Sequence, residues 1–472
     1  MKHADFLYPN GRGLSRRSLL HGASAGIGAS MLGGLFPASS RAQKARPNHP
    51  TLGIVKPSLD AMPLAWSNSE FHRRWDALRK RMKEANLDCL IVPQNYRSSV
   101  LDAYLTDADV NWLAGIPAGW VVFPIEGKIT VIVDNERLNT HLKDKRPIPG
   151  MIMTTLLADN SPDIEVRYAV EEMERGAWSP TIIDVLRERK MEQARIGVGS
   201  LVGVPRNPEG SVSYTTYTRV RKAFPQAQFE NAVDMLWQVK WVNSAEEIAV
   251  FEKVAAVSEA GLLAMLETAR PGAVNRDVWL SMYVAMLQCS GSRPQHLVIA
   301  TQGMAGVNLG CPLPDIIEAG QILNQECTGC GLGFGTQANH SVLIGSQGPA
   351  DWPSAAGYCI DTFHAVLDRI APGKNIKEVV DFYNQRLLER GEHVAHDVNF
   401  HFDGYGDLPR IGPGLEEVPE DTVFESGMVF DFKPEISVKG TPMRALFGDP
   451  VVVTEKGARR LGKRRLEIIN LA

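Results

Sequence analysis

The sequence is short of two things, cysteine and clustered basic charge, and each shortage excludes a class of role. Its 472 residues include only six cysteines, Cys89, Cys289, Cys311, Cys327, Cys330 and Cys359, which is too few for a disulfide scaffold in so long a chain. Cys327 and Cys330 make a lone C-x-x-C. On a strand, residues three apart face opposite sides, so the two do not grip one ion and read as packing residues. No block of Lys and Arg is interleaved with aromatics. The 50 basic side chains stand against 54 acidic ones, a net charge of −4, and nucleic-acid binding is not expected. The short Lys463-Arg464-Arg465 run reads as a solvated end. Beyond these gaps the composition is ordinary for a globular protein, 44% hydrophobic and 22% charged, with length for two or three domains.

The N-terminus carries the strongest local signal. Ser15-Arg16-Arg17-Ser18-Leu19-Leu20 precedes a mild Gly/Ala-rich apolar stretch that ends near Phe36, and Ser40-Arg41-Ala42 follows as a small-x-small cleavage site. Paired arginines before a weakly apolar region are the pattern of twin-arginine (Tat) export. Residues 1–42 are therefore expected to be a signal peptide read by the Tat machinery, and the mature chain to be periplasmic or secreted. A membrane anchor is the competing reading, weakened by the glycines and serines of the stretch. Tat cargo is folded before export and often loaded with cofactor, which leans toward a bound metal.

Residues 43–68 are proline-rich and aperiodic and read as an extended arm. Phe71, Trp75, Leu78 and Met82 recur at helical spacing, Leu90-Ile91-Val92 reads as a buried strand, and Trp120–Phe123 with Lys128–Val133 reads as a hairpin turning at Glu126-Gly127. A helix is expected over roughly 165–190 and a strand at Ala194–Val198. Residues 69–238 thus form a first α/β domain, and 239–472 a second. The second opens at Asn243-Ser244-Ala245-Glu246-Glu247, a capped helix start. Within it Ala269-Arg270-Pro271-Gly272-Ala273-Val274-Asn275 and, later, Ile370-Ala371-Pro372-Gly373-Lys374-Asn375 share one grammar of helix, Pro-Gly turn and helix. That repetition implies an internal duplication, with a site where the two halves meet.

The duplication, the Asn243–Ile248 helix start, Gly427-Met428-Val429-Phe430 before a proline, and Val453-Thr454-Glu455-Lys456-Gly457-Ala458 together resemble the creatinase/aminopeptidase P/prolidase (M24, pita-bread) family over about 69–465. The resemblance implies an α/β fold: an N-terminal creatinase-like α/β domain plus a C-terminal pita-bread domain with a pseudo-two-fold duplication. It also implies a homodimer. Most members hold two metal ions with two Asp, one His and two Glu. Carried over one by one, those positions fall on Glu326, Gln337, Asp403 (with Tyr405 or Asp407 a short shift away), Lys433 and Gly448 beside Asp449. An ammonium in a dication site adds repulsion and offers no lone pair. The expectation is therefore no metal cofactor, or at most one weakly bound divalent cation. Creatinase works without metal, yet its base histidine has no counterpart in Val307–Pro312, and its acid falls on Asn339.

The candidate catalytic residues are then His340, His401, Glu326, Asp403 and Lys433, with His396 nearby. A histidine beside a carboxylate suits general acid/base work, and Lys433 suits anion stabilisation. Lys433, Arg444, Asp449, Asn339 and Tyr405 are the candidate substrate-binding residues. Structural alternatives stay open: an ion pair for Lys433, a hydrogen-bonded strand histidine for His340, and a surface salt bridge for Arg444. Three functions follow: a metal-independent hydrolase or lyase acting on a small carboxylate-bearing substrate in the periplasm, an Xaa-Pro-type metallopeptidase with divergent ligands, or a non-catalytic small-molecule-binding or interaction protein on the pita-bread fold.

Overall fold

A computed structural model describes residues 51–63, 65–93, 108–116, 119–133, 162–169, 178–203, 210–301, 312, 314–392, 400–402, 410–411 and 420–472, and of 108, 400–402 and 410–411 the backbone alone. The twin-arginine segment lies outside these residues. Phe71, Trp75, Leu78 and Met82 line the buried face of helix α1 (Asn68–Glu84), whose cap Ser67 accepts from the Glu70 N–H. Strand β1 (Cys89–Val92), helix α2 (Ala108–Ala114), and strands β2 (Trp120–Pro124) and β3 (Ile129–Val133) follow. β2 and β3 pair antiparallel as the hairpin pattern requires. The helix expected over 165–190 starts only at Trp178. Ile164–Tyr168 is strand β4, parallel to β3, and α3 spans Trp178–Glu188. Ile164-Glu165-Val166-Arg167-Tyr168 alternates with period two, which suits an outer strand better than a helix. Strand β5 (Arg195–Val198), helix α4 (Tyr214–Ala223), strand β6 (Gln228–Asn231) and helix α5 (Val233–Lys240) complete a six-stranded sheet of order β4-β3-β2-β1-β5-β6.

Helix α6 (Ala245–Thr268) opens with a capping box, in which Ser244 accepts from the Glu247 N–H and the Glu247 carboxylate accepts from the Ser244 N–H. Glu247 also bonds across to the first domain, accepting from Arg73 at 2.7 Å. The guanidinium of the neighbouring Arg74 lies 4.3 Å from the Trp66 ring centre. One carboxylate thereby caps a helix and ties two domains. Part of the expected arm is pinned as well: Leu52 and Ile54 are buried in the core formed with α6 and helix α7 (Asn275–Ser290).

The chain continues through β7 (His296–Ala300), β8 (Ile322–Gly331), β9 (Phe334–His340), β10 (Val342–Ile344), α8 (Trp352–Leu367), α9 (Ile376–Glu389), β11 (Phe400–Phe402) and β12 (Arg410–Ile411). It ends with β13 (Val429–Phe432), β14 (Glu435–Ser437), β15 (Arg444–Thr454), β16 (Gly457–Arg460) and β17 (Asn470–Leu471). These strands form one sheet of order β12-β11-β13-β15-β9-β8-β10-β17, with β7 on β8 and with β14 and β16 on β15.

The duplication is visible bond by bond. In the first copy Gly272, with φ +85°, donates to the Ile317 carbonyl, Ile317 donates to Ala273, and Asn275 to Asp315. In the second, Gly373, with φ +80°, donates to Phe424, Phe424 to Lys374, and Ile376 to Thr422. Each Pro-Gly turn needs a left-handed residue, and glycine supplies it without strain. Nine residues beyond the anchors Ile317 and Phe424 stand Glu326 and Lys433 respectively. The two copies therefore present opposite charges at equivalent places.

Among the described residues no helix is long and apolar enough to cross a membrane.

Candidate active site

β8 and β9 are joined by the two-residue turn Leu332-Gly333, both at positive φ (51° and 86°), the geometry of a tight hairpin. That turn fixes the register so that Thr328 faces Gln337 across the ladder, with Glu326 two residues back on the same face. From the second copy, Lys433 follows directly on β13 and reaches the same spot. Its ammonium donates to Glu326 Oε1 at 2.8 Å and to Gln337 Oε1 at 2.9 Å. The Gln337 amide nitrogen lies 3.4 Å from Glu326 Oε2 and 3.3 Å from Thr328 Oγ1. His296 Nε2 sits 3.0 Å from Glu326 Oε2. The cluster is enclosed but not sealed, with 15% of the Glu326 side chain and 12% of Lys433 accessible.

Burial opposes the Glu326 charge, but the Lys433 ammonium and the His296 ring outweigh it and hold the carboxyl well below the ordinary glutamate range. Lys433 can pass through here because position 448 is glycine. A Cβ on Gly448 would lie 2.4 Å from the Lys433 Cβ and 2.6 Å from Asn339 Oδ1, closer than atoms can pack. Asn339 thus borders the stem of Lys433, and its amide donates to the Gln325 carbonyl at 3.1 Å.

The remaining candidates separate from this cluster. His340 projects to the opposite face of the sheet, as strand alternation demands. There it is fully buried, edge-on to Phe447 at 4.8 Å and 2.9 Å from the Glu467 carbonyl oxygen. Burial, aided by the Arg464 charge, pushes its pKa down to about 3, so as a general acid/base His340 is corrected to a neutral, hydrogen-bonded strand histidine. Asp449 is corrected likewise. It has no accessible surface and accepts from Arg464 and, at 2.6 Å, from Arg460. Arg444 pairs with Glu435 at 3.1 Å, apart from the Lys433 cluster. The expected solvated end is corrected at Arg464, which is wholly buried, with its backbone N–H also bonded to Glu259 at 2.8 Å. His401 lies opposite Asp431 in the β11–β13 ladder. Asp403, Tyr405 and His396 lie outside the described residues.

Cys327 and Cys330 are both buried, and burial raises both thiols, Cys330 to about 11, so neither is a reactive thiolate.

Sequence reasoning missed His296. It stands opposite Thr328 on β7, and no spacing along the chain announces a partner thirty residues away on another strand.

As a cation site, the described residues supply the Glu326 carboxylate, already engaged by the Lys433 ammonium and the His296 ring, the amide of Gln337, and the Asp431 carboxylate, which is turned to the Gln337 backbone N–H at 2.9 and 3.0 Å. Among the described residues no group of three or more His, Cys, Asp or Glu is placed to hold a metal ion. This donor set does not fit a pair of divalent cations, which need several anionic oxygens.

Comparison with known proteins fixes the family. Residues 249–455 match the Metallopeptidase family M24, and residues 74–240 match the Creatinase/Prolidase N-terminal domain. An uncharacterized hydrolase/peptidase of Sinorhizobium fredii, y4tM, is 24% identical over 391 residues, covering 78% of this chain and 89% of that protein. The Xaa-Pro dipeptidase of Pyrococcus furiosus is 21% identical over 315 residues, 65% of this chain and 85% of its own. The solved Xaa-Pro dipeptidase from Bacillus anthracis superposes with TM-score 0.67 at 15% identity, over 85% of this chain and 100% of that one. These matches correct one expectation: the absence of a metal cofactor does not stand, because the family matched across the site is one of metallopeptidases. The chain belongs to the creatinase/aminopeptidase P/prolidase (M24) family and is an enzyme of that hydrolase/peptidase type, with a creatinase-type N-terminal domain and a pita-bread C-terminal domain.

Proposed function

We propose that this enzyme hydrolyses a C–N bond in a small substrate bearing a free carboxylate, and that Lys433 binds that carboxylate. The observation that carries the reading is the placement of the Lys433 ammonium where the duplicated halves meet. Among the described residues two of its three N–H donors are taken, by Glu326 and Gln337, which leaves one for a ligand anion. An ammonium so held is a pre-oriented anion site, since the groups that fix it need not reorganise when substrate arrives. Glu326 is kept ionised and is therefore a weak base. Its part is to hold Lys433, not to take a proton. The names of the similar Xaa-Pro dipeptidases support dipeptides as the first class to test, since a dipeptide is a small amide ending in a carboxylate. The Arg16-Arg17 motif supports work in the periplasm after Tat export.

The test is hydrolysis of a dipeptide panel that includes Xaa-Pro, each member paired with its C-terminal carboxamide, with divalent metals supplied. The free carboxylates should be preferred, and Lys433→Met should erase the preference mainly through KM. Equal turnover of acids and amides, unchanged by Lys433→Met, would sink the reading.

A further inference from the structure

We propose that His296 is a positioning residue of this site: it clamps one oxygen of Glu326 so that the other holds the Lys433 ammonium toward the substrate. The inference rests on the function proposed above and adds a residue outside the five positions that the family resemblance implies.

A glutamate has three side-chain torsions, and freezing them costs conformational entropy, so something must fix Glu326 for Lys433 to be fixed. Oε1 is taken by Lys433 at 2.8 Å. Oε2 has a contact of 3.4 Å to Gln337, at the limit of a hydrogen bond, and one of 3.0 Å to His296 Nε2. His296 is thus the strong second hold. Its own placement is rigid. It opens β7, with its backbone opposite Thr328, and its side chain is only 6% accessible. The preceding Gln295 donates to the Gly333 carbonyl in the β8–β9 turn at 2.7 Å, and Trp279 on α7 donates to the carbonyl of the following Leu297 at 2.9 Å. Both neighbours of His296 are therefore tied, one to the hairpin that carries Glu326 and Gln337. Bulk alone would not need this arrangement. An apolar side chain would fill the space but leave Oε2 nearly unbonded.

The experiment compares His296→Gln, whose amide nitrogen falls near the place of Nε2, with His296→Asn, which is too short to reach Glu326. One readout is the acylation rate of the Lys433 amine by an N-hydroxysuccinimide ester, followed by peptide mass spectrometry on the full chain. The other is the KM ratio of carboxylate to carboxamide substrates. Hydrogen bonds to charged groups are strong enough to expect about a tenfold change. His296→Asn should raise Lys433 acylation and the carboxylate KM by about that factor, and His296→Gln should restore both. If the two variants match each other, or neither moves Lys433 acylation, the clamp is refuted. If instead Lys433→Met leaves substrate discrimination intact, the proposed function fails by itself, while the acylation readout still judges the clamp.

Discussion

Replacing Lys433 by Met leaves the Glu326 carboxylate enclosed with its main counter-charge gone. At 2.8 Å and an effective dielectric near 20, the pair attraction is roughly 6 kcal/mol before desolvation is subtracted. Losing one partner of a buried pair typically costs about 3–5 kcal/mol. Slight exposure of both groups and the surviving His296 contact lower this, so Lys433→Met should destabilise by about 2–4 kcal/mol at neutral pH. Adding Glu326→Leu should return most of the loss, with a coupling energy of about 2 kcal/mol or more in the double-mutant cycle. The pH dependence has a definite sign. The Glu326 carboxyl is depressed in the folded state, so its contribution is complete above the ordinary glutamate value of about 4.3 and is lost as pH falls toward the lower folded value. The gap between native protein and Lys433→Met should therefore be widest near neutrality and shrink markedly by about pH 3. Urea unfolding followed by tryptophan fluorescence measures all three quantities. A coupling energy below about 0.5 kcal/mol, or a gap that widens in acid, would refute the reasoning.

Arg464→Met strands Asp449 and Glu259 without their shared guanidinium and should cost about 3–5 kcal/mol in the same unfolding assay. Arg464→Lys should rescue little, because one ammonium cannot span the fork that also reaches the Asn339 carbonyl at 2.9 Å. Changing Arg16-Arg17 to Lys-Lys should leave the protein inside the cytoplasm with its N-terminus uncleaved, as read by cell fractionation and intact mass. Export at the normal rate would remove the twin-arginine assignment.

The sequence was enough wherever the deciding physics is local. Ser244 and Glu247 announce a helix start because a cap bonds within one turn. Pro271-Gly272 and Pro372-Gly373 announce the duplication because a left-handed turn residue is a local demand. Phe71, Trp75, Leu78 and Met82 announce their helix through spacing alone. Even the ammonium at position 433 is legible, since the family's landmarks bracket it in order.

Tertiary structure decided everything that depends on which face a strand turns inward and what lies across from it. His340 and Asn339 are adjacent in sequence, yet alternation sends one behind the sheet and keeps the other beside Lys433. Arg464 looks like a surface charge in a basic run, and only the sheet's return brings Asp449 and Glu259 around it. His296 meets Glu326 because β7 pairs with β8 in one register, and a shift of one residue would turn it away. Local bonds are written along the chain; contacts between strands are set by register, which is fixed only when the whole sheet assembles.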